Sequence, residues 1–198
     1  MIVFIEGSRH VGKTFLIDQF LKQNTDKSVE YYKFKFAKYI DEFDMRDQET
    51  GPGVHYFSIG NILTILELNE TLLKDKILIF DRCIFSAYVW SIYRNRLSSE
   101  KLMAEFEKIL NHDLYKQCKL VYITKDETIV TERREKDYFG NFENYSEERQ
   151  LFDLLLDRFK KEATDSDKGN ELVKFVNLFD EQSGIEFCKM MNKLVKHS

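Results

Sequence analysis

The chain has 198 residues, of which 43% are hydrophobic and 32% are charged, which is enough for one well-buried core and too little for two. Its net charge is −4 and both signs are mixed along the sequence, which excludes the basic block of a non-specific nucleic-acid binder. We expect one domain over residues 1–198 whose partner is a small anionic molecule and not a nucleic acid.

The amino terminus, the apolar runs and the cysteines indicate the cellular location of the protein. The amino terminus lacks a basic region ahead of an apolar one, and no apolar run approaches the length of about 18 residues that a membrane span needs. The three cysteines have unrelated spacings and apolar neighbours, which is typical of reduced thiols and not of a zinc site or disulfide framework. These patterns predict a cytoplasmic protein without a membrane partner.

The pattern of residues 1–22 predicts a strand, a phosphate-binding loop and a helix. Met1 to Ile5 is an apolar run of strand length, and residues 15–22 repeat apolar side chains at helical spacing. Between them, Gly7-Ser8-Arg9-His10-Val11-Gly12-Lys13-Thr14 matches G-x-x-x-x-G-K-[ST], and these flanks argue against a chance glycine-rich turn. We expect the loop to bind ATP phosphates, with Lys13 on the outer phosphates and Thr14 on Mg²⁺.

The next part of the chain predicts a second strand, a loop and a long helix. Residues 29–36 are rich in aromatic residues and partly alternate. Residues 37–54 contain five acidic residues and the only proline, which is typical of a functional loop. Apolar residues then recur at helical spacing over residues 55–73.

A carboxylate, a guanidinium and a hydroxyl follow the third predicted strand. Residues 77–80 are apolar and lead into Asp81, Arg82 and then Ser86. A carboxylate at the carboxyl end of a buried strand is typical of a magnesium site, and an arginine can form two parallel bonds to a phosphate. The alternative is a simple salt bridge at the strand end, but the upstream loop favours a nucleotide site.

The remaining elements complete an α/β pattern. The sequence predicts helices at 87–97, 100–110, 147–162 and 185–196, and strands at 119–124 and 173–178. Strands that alternate with helices predict a parallel five-stranded sheet with helices on both faces and ligands at the carboxyl ends of the strands.

A basic pair follows the fourth predicted strand. Arg133 and Arg134 precede the aromatic turn Tyr138-Phe139-Gly140-Asn141. Arginines on a closing segment can neutralise the charge that develops during phosphoryl transfer, so both are candidates for catalytic lid residues. The alternative is a solvated helix face with mixed charges.

The order of these motifs resembles thymidylate kinase and its deoxynucleoside kinase relatives among the P-loop kinases. Phe4-Ile5-Glu6-Gly7 is similar to the family's lead-in to the loop, and Ile79-Phe80-Asp81-Arg82 with Ser86 is similar to its aspartate-arginine signature. The resemblance covers most of the chain. It implies a P-loop NTPase fold like that of nucleoside monophosphate kinases, with a short lid near residues 131–146. It also implies Mg²⁺-dependent transfer from ATP, with Asp81 near the metal and Arg82 and Ser86 at the acceptor.

Several positions depart from the family pattern. Arg9 stands where thymidylate kinases usually have an aspartate in the loop. The family's proline-arginine pairing after strand two is missing, and Arg46 could bind the acceptor phosphate instead. Phe57 aligns with the base-stacking phenylalanine, and Asn61 replaces the arginine that reads thymine, although its amide can still pair with a base edge.

We therefore expect a nucleoside monophosphate kinase that converts a deoxynucleotide such as thymidylate into the diphosphate. The alternative is a deoxynucleoside kinase, which needs a carboxylate base after strand two, where this chain has Lys35-Phe36-Ala37-Lys38. From another class, the loop could serve a non-catalytic nucleotide switch. The sequence leaves the oligomeric state open, and a homodimer is compatible with it.

Overall fold

A computed structural model describes residues 1–8, 10–24, 28–33, 76–93, 99–110, 118–126, 128–130, 132, 145–164, 171–178 and 180–196. In this part of the chain, one sheet contains five parallel strands, which are β1 (Ile2–Glu6), β2 (Val29–Lys33), β3 (Ile77–Asp81), β4 (Cys118–Thr124) and β5 (Glu171–Val176). Its helices are α1 (Lys13–Gln23), α2 (Ile84–Tyr93), α3 (Ser99–Leu110), α4 (Tyr145–Thr164) and α5 (Glu181–Lys196).

The strand order is β2-β3-β1-β4-β5. β1 lies at the centre and pairs with β3 on one side, where Ile5 is opposite Asp81, and with β4 on the other, where Glu6 is opposite Tyr122. Since all strands are parallel, their carboxyl ends lie along one edge. The loop after β1 therefore emerges in the middle of that edge, next to the end of β3.

The side chains of the central strands alternate between two buried clusters. Because successive residues of a strand point to opposite faces, β1, β3 and β4 contribute to both clusters. One cluster contains Ile2, Phe4, Leu78, Phe80, Leu120 and Tyr122. The other contains Val3, Ile5, Ile79, Val121 and Ile123. This double burial explains why these strands read as continuous apolar runs.

Helices cover both faces of the sheet. On the first face, α2, α3 and α4 add Tyr88, Phe106 and Phe152 to the core, all with no exposed surface. On the second face, α1 and α5 pack together and add Phe20, Phe187 and Met191. The predicted α/β class, with a parallel five-stranded sheet between helices, is confirmed.

The last strand and the last helix begin earlier than the sequence pattern predicts. β5 spans Glu171–Val176 and not 173–178, and the backbone N–H of Asn177 directly after it donates to the Thr124 carbonyl over 2.9 Å. α5 begins at Glu181 and not at residue 185. The Asp180 carboxylate accepts the backbone N–H of Ser183 over 2.7 Å, which is an N-cap that the sequence could have revealed.

Some predicted segments lie outside the described residues, and the described helices were searched for a membrane span. The predicted loop at 37–54 and the helix at 55–73 lie outside the described residues, as does most of the expected lid, whose Tyr145 and Ser146 open α4. A search of the described helices finds none that is long and apolar enough to cross a membrane.

Two glycines offer a matched test of how closely the loop packs on the sheet. Gly7 has φ +141°, and a Cβ there would lie 2.2 Å from the backbone oxygen of Ile123, so Gly7→Ala should destabilise the fold by at least about 2 kcal/mol. Gly184 in α5 has nothing within 4 Å of such a Cβ, and Gly184→Ala should stabilise by about 0.5–1 kcal/mol. Urea unfolding measures both. Equal stability of the two variants would contradict this packing.

Candidate active site

The loop after β1 turns the backbone into the start of α1. Gly7, His10 and Gly12 have φ angles of 141°, 66° and 85°, and histidine tolerates this region better than most residues. α1 begins directly afterwards, and Leu16 N–H donates to the Gly12 carbonyl over 3.1 Å. The unpaired N–H groups and positive end of α1 therefore face the loop, which favours an anion there.

Lys13 lies beneath the loop and is only 5% exposed. Its Nζ donates to the carbonyl oxygens of Gly7 and Ser8, both at 2.6 Å. Burial, and then the positive charge of Arg82, lowers the pKa of Lys13 to about 7. A phosphate beside this amine would favour its charged form, so the surroundings of Lys13 suit an anionic ligand.

Thr14 and Asp81 join the loop to the end of β3. The Thr14 hydroxyl donates to Asp81 Oδ2 over 3.0 Å, and the Tyr31 hydroxyl on β2 donates to the same oxygen over 3.2 Å. Burial, and then the Asp81 charge, raises the pKa of Tyr31, so this phenol stays a neutral donor. Lys33, the last residue of β2, donates to Thr14 Oγ1 over 3.2 Å. Two strands and the first turn of α1 thus contribute to one polar cluster.

Arg82 follows Asp81 with φ 74°, in the left-handed region. Its backbone N–H donates to the Ile5 carbonyl over 3.0 Å, which ties the turn to β1. Its Nη1 donates to the Ser86 hydroxyl over 3.2 Å, and this contact uses one of the five N–H groups of the guanidinium. The sequence motif Asp81-Arg82…Ser86 is therefore a real spatial cluster.

Glu6 is a site residue whose role the sequence did not reveal. Its buried Oε1 accepts the backbone N–H groups of Cys83 at 2.8 Å and Ser86 at 3.0 Å, and its Oε2 accepts the Ser86 hydroxyl at 2.5 Å. Burial, and then the Glu6 charge, raises the pKa of the Cys83 thiol. Glu6 thus caps α2 from the end of β1. The available signal was a carboxylate that ends an otherwise apolar strand.

Asn177 supports the loop from the opposite side. It is buried after β5, and its Nδ2 donates to the Val11 carbonyl over 2.8 Å. Val11 itself has no exposed surface and packs in the core beside α1 and α5. The middle of the loop is thus fixed by a hydrogen bond and by apolar packing.

These residues surround a pocket of about 300 Å³ at the carboxyl edge of the sheet. It is lined by His10, Gly12, Lys13, Thr14, Phe15, Lys33, Asp81 and Arg82. This volume is at the lower end of the range for small-molecule sites.

The structure brings together ten of the predicted site residues and leaves six undescribed. Those near the pocket are Gly7, Ser8, His10, Val11, Gly12, Lys13, Thr14, Asp81, Arg82 and Ser86. Those outside the described residues are Arg9, Arg46, Phe57, Asn61, Arg133 and Arg134.

The residues present fit a phosphate chain and Mg²⁺. The buried hydroxyl of Ser8 has no hydrogen-bond partner in the described part of the protein, and a phosphate oxygen would supply one. Thr14 and Asp81 offer a hydroxyl and a carboxylate oxygen 3.0 Å apart. Mg²⁺ is usually bound by one or two such protein ligands together with phosphates and water, and the described residues contain no group of three metal-binding side chains.

Sequence comparison and structural comparison differ in what they detect. No protein-family model and no curated protein matches the sequence. Solved structures of deoxyadenosine kinase from M. mycoides do match. The structure with bound dATP is 16% identical, has a TM-score of 0.63 and matches over 98% of this chain and 99% of that one. The structure with bound dCTP is 17% identical and has a TM-score of 0.56. The structure with the products dCMP and a flexible dCDP is 16% identical and has a TM-score of 0.61.

The chain has a P-loop NTPase fold. The match extends over nearly the whole of both chains, so the loop, the sheet and the helices belong to one shared architecture. This likeness agrees with the resemblance to thymidylate and deoxynucleoside kinases that the motifs indicate.

The capping role of Glu6 in this P-loop fold can be tested by two substitutions. Glu6→Ala leaves two buried N–H groups without an acceptor and should destabilise the protein by about 2–4 kcal/mol. Glu6→Gln keeps an oxygen for both and an amide for Ser86, and it should cost about 1 kcal/mol. Urea unfolding of both variants measures the difference. Similar stability of the two would show that the buried N–H groups do not depend on Glu6.

The lowered pKa of Lys13 links ligand binding to pH. At about pH 8, above the pKa of about 7, most Lys13 amines are neutral, and phosphates beside the amine raise its pKa, so ADP binding should take up a proton. At about pH 6 the amine is already charged and adds no uptake. Calorimetry in two buffers of different ionisation enthalpy measures the proton uptake. Lys13→Met lacks the amine, so it gives the proton uptake that ADP binding causes without Lys13. Identical uptake by both proteins at about pH 8 would exclude this linkage.

Proposed function

We propose that the protein is an ATP-dependent kinase that transfers the γ-phosphoryl group to a deoxynucleoside monophosphate. One observation carries the proposal. Asp81 contacts Thr14 of the P-loop, and Arg82 and Lys33 line the same pocket as Lys13 from the ends of β3 and β2. This set of anion-binding groups supports a site that serves both a phosphate donor and a phosphate acceptor. The whole-chain likeness to a solved deoxyadenosine kinase supports the kinase activity, and it does not distinguish a nucleoside acceptor from a monophosphate acceptor.

The donor side follows from the loop. Its backbone N–H groups and the start of α1 would hold the phosphates of ATP, with Ser8 donating its hydroxyl and Lys13 its ammonium. Thr14 and Asp81 would bind Mg²⁺, which supplies positive charge to the phosphate oxygens. Asp81 is kept in position by the Thr14 and Tyr31 hydroxyls, so its carboxylate is preorganised for this role.

The acceptor side favours a substrate that already carries a phosphate. Among the described residues that line the pocket, Asp81 is the single carboxylate, and it is engaged with Thr14 and Tyr31. Glu6 lies close by but is buried and accepts three hydrogen bonds. An anionic acceptor needs a cation more than a base, and Arg82 supplies one.

The residues outside the described part keep their proposed roles. Arg46 would bind the acceptor phosphate, Phe57 would stack on the base and Asn61 would contact its edge. Arg133 and Arg134 would act from the lid on the transferred group. The nucleotide would be the protein's small-molecule partner, and a homodimer remains a proposal that a measured molar mass can test.

A deoxynucleoside kinase is the second candidate, because the matched structures are those of a deoxyadenosine kinase. Such an enzyme must remove a proton from the sugar hydroxyl, so it needs a carboxylate base. Asp81 is the candidate within the pocket, and Asp41 and Glu42 are candidates outside the described residues.

A panel of nucleosides and monophosphates with Mg-ATP separates the two candidates. If Arg82 is held for an acceptor phosphate, monophosphates should be preferred by about a thousandfold, since a nucleoside leaves that guanidinium unpaired. Arg82→Ala should reduce the monophosphate reaction alone. Lys13→Ala should lose at least about 3 kcal/mol of barrier stabilisation with every acceptor and serves as the inactive control.

The panel also has outcomes that contradict the proposal. A better rate with thymidine than with thymidylate would assign the protein to the deoxynucleoside kinases. ATP binding without transfer to any acceptor would indicate a nucleotide switch.

A further inference from the structure

Lys33 is placed where the metal and the phosphates would meet. It is the last residue of β2 and lies opposite Asp81 in the register with β3. Its Nζ is 3.2 Å from Thr14 Oγ1 and 4.0 Å from Asp81 Oδ2. Its side chain is 37% exposed and lines the pocket, whereas that of Asp81 is 4% exposed. The ammonium therefore approaches both expected Mg²⁺ ligands from the solvent side.

The environment of Lys33 differs from that of two other lysines on or next to the sheet. Lys76 forms a close ion pair with Glu30, and Lys119 pairs with Glu171 at 3.1 Å. Lys33 instead donates to a neutral hydroxyl, and its carboxylate neighbour is 4.0 Å away and already accepts two hydroxyl groups. Much of its charge is thus left to act on whatever occupies the pocket.

Thr14 can serve Lys33 and Mg²⁺ at once. Its hydroxyl proton is used toward Asp81 and one oxygen lone pair accepts from Lys33, which leaves a second lone pair for a metal. A Mg²⁺ ion lies about 2.1 Å from its ligand oxygens. Ammonium and metal on the same oxygen would then be no more than about 5.3 Å apart, so they would repel each other and attract the same phosphates.

We propose that Lys33 is a built-in counter-cation of the nucleotide phosphates, which partly replaces the charge of Mg²⁺ and makes nucleotide binding less dependent on the metal. The inference rests on the nucleotide site of the proposed function, but it does not depend on the acceptor. Removing the ammonium should weaken metal-free binding and also remove its repulsion of Mg²⁺. Both effects increase the coupling between Mg²⁺ and nucleotide, and this coupling is reciprocal.

The test is the Kd of ADP measured by calorimetry, once with MgCl₂ and once with EDTA. For Lys33→Met, the ratio of the Kd in EDTA to the Kd in MgCl₂ should rise on the order of tenfold above the wild-type ratio, mainly through weaker binding in EDTA. Lys33→Arg keeps the charge and should retain most of the wild-type ratio. Lys22→Met removes an exposed lysine from the last turn of α1, away from the loop, and should leave the ratio unchanged.

Each ratio compares one protein with itself, so a modest loss of folded material cancels, and Lys33→Gln repeats the test with a polar side chain. A ratio within about twofold of wild type for both neutral variants would overturn the role of Lys33. A wild-type protein that binds ADP but phosphorylates no acceptor would contradict the proposed function and leave this result valid. Wild-type protein that binds ADP under neither condition would overturn both.

Discussion

The buried carboxylate of Glu6 determines how the two halves of the site are placed relative to each other. It ends the central strand, from which the P-loop departs, and it accepts the first N–H groups of the helix that follows β3. Asp81 ends β3 and Arg82 follows it before α2, so this contact and the β1–β3 pairing together hold both residues near Lys13 and Thr14. A carboxyl group with no exposed surface is tolerated there because three hydrogen bonds satisfy its oxygens.

The site concentrates positive charge before any ligand contributes. Lys13 is buried and close enough to Arg82 for the charge of Arg82 to lower its pKa. Lys33 donates a hydrogen bond to the hydroxyl of Thr14, the next residue after Lys13. Burial, and then the positive charge of Arg82, disfavours the charged form of Lys13, and a bound anion would favour it. The same arrangement thus accounts for the lowered pKa, for the attraction of phosphates and for the expected discrimination against uncharged acceptors. Each of the three has its own measurement.

Support from outside the pocket keeps this geometry rigid. Asn177 holds the loop through Val11, and a Cβ at Gly7 would meet the backbone of β4. The loop is thus packed against the sheet at Gly7 and Val11. A preorganised cradle needs no rearrangement when charge develops on the transferred phosphoryl group, which is the condition for strong electrostatic stabilisation.

The sequence by itself determined the fold class and the phosphate loop, because both depend on local patterns: apolar runs of strand length, helical periodicity, and glycines at the turns before Lys13. It also placed Asp81 at a strand end. It could not reveal that Glu6 caps α2, that Lys33 reaches Thr14 or that Asn177 supports Val11, since these pairs are separated by 77, 19 and 166 positions. Only the strand order β2-β3-β1-β4-β5 decides which chain segments become neighbours, and parallel pairing brings their carboxyl ends to one edge.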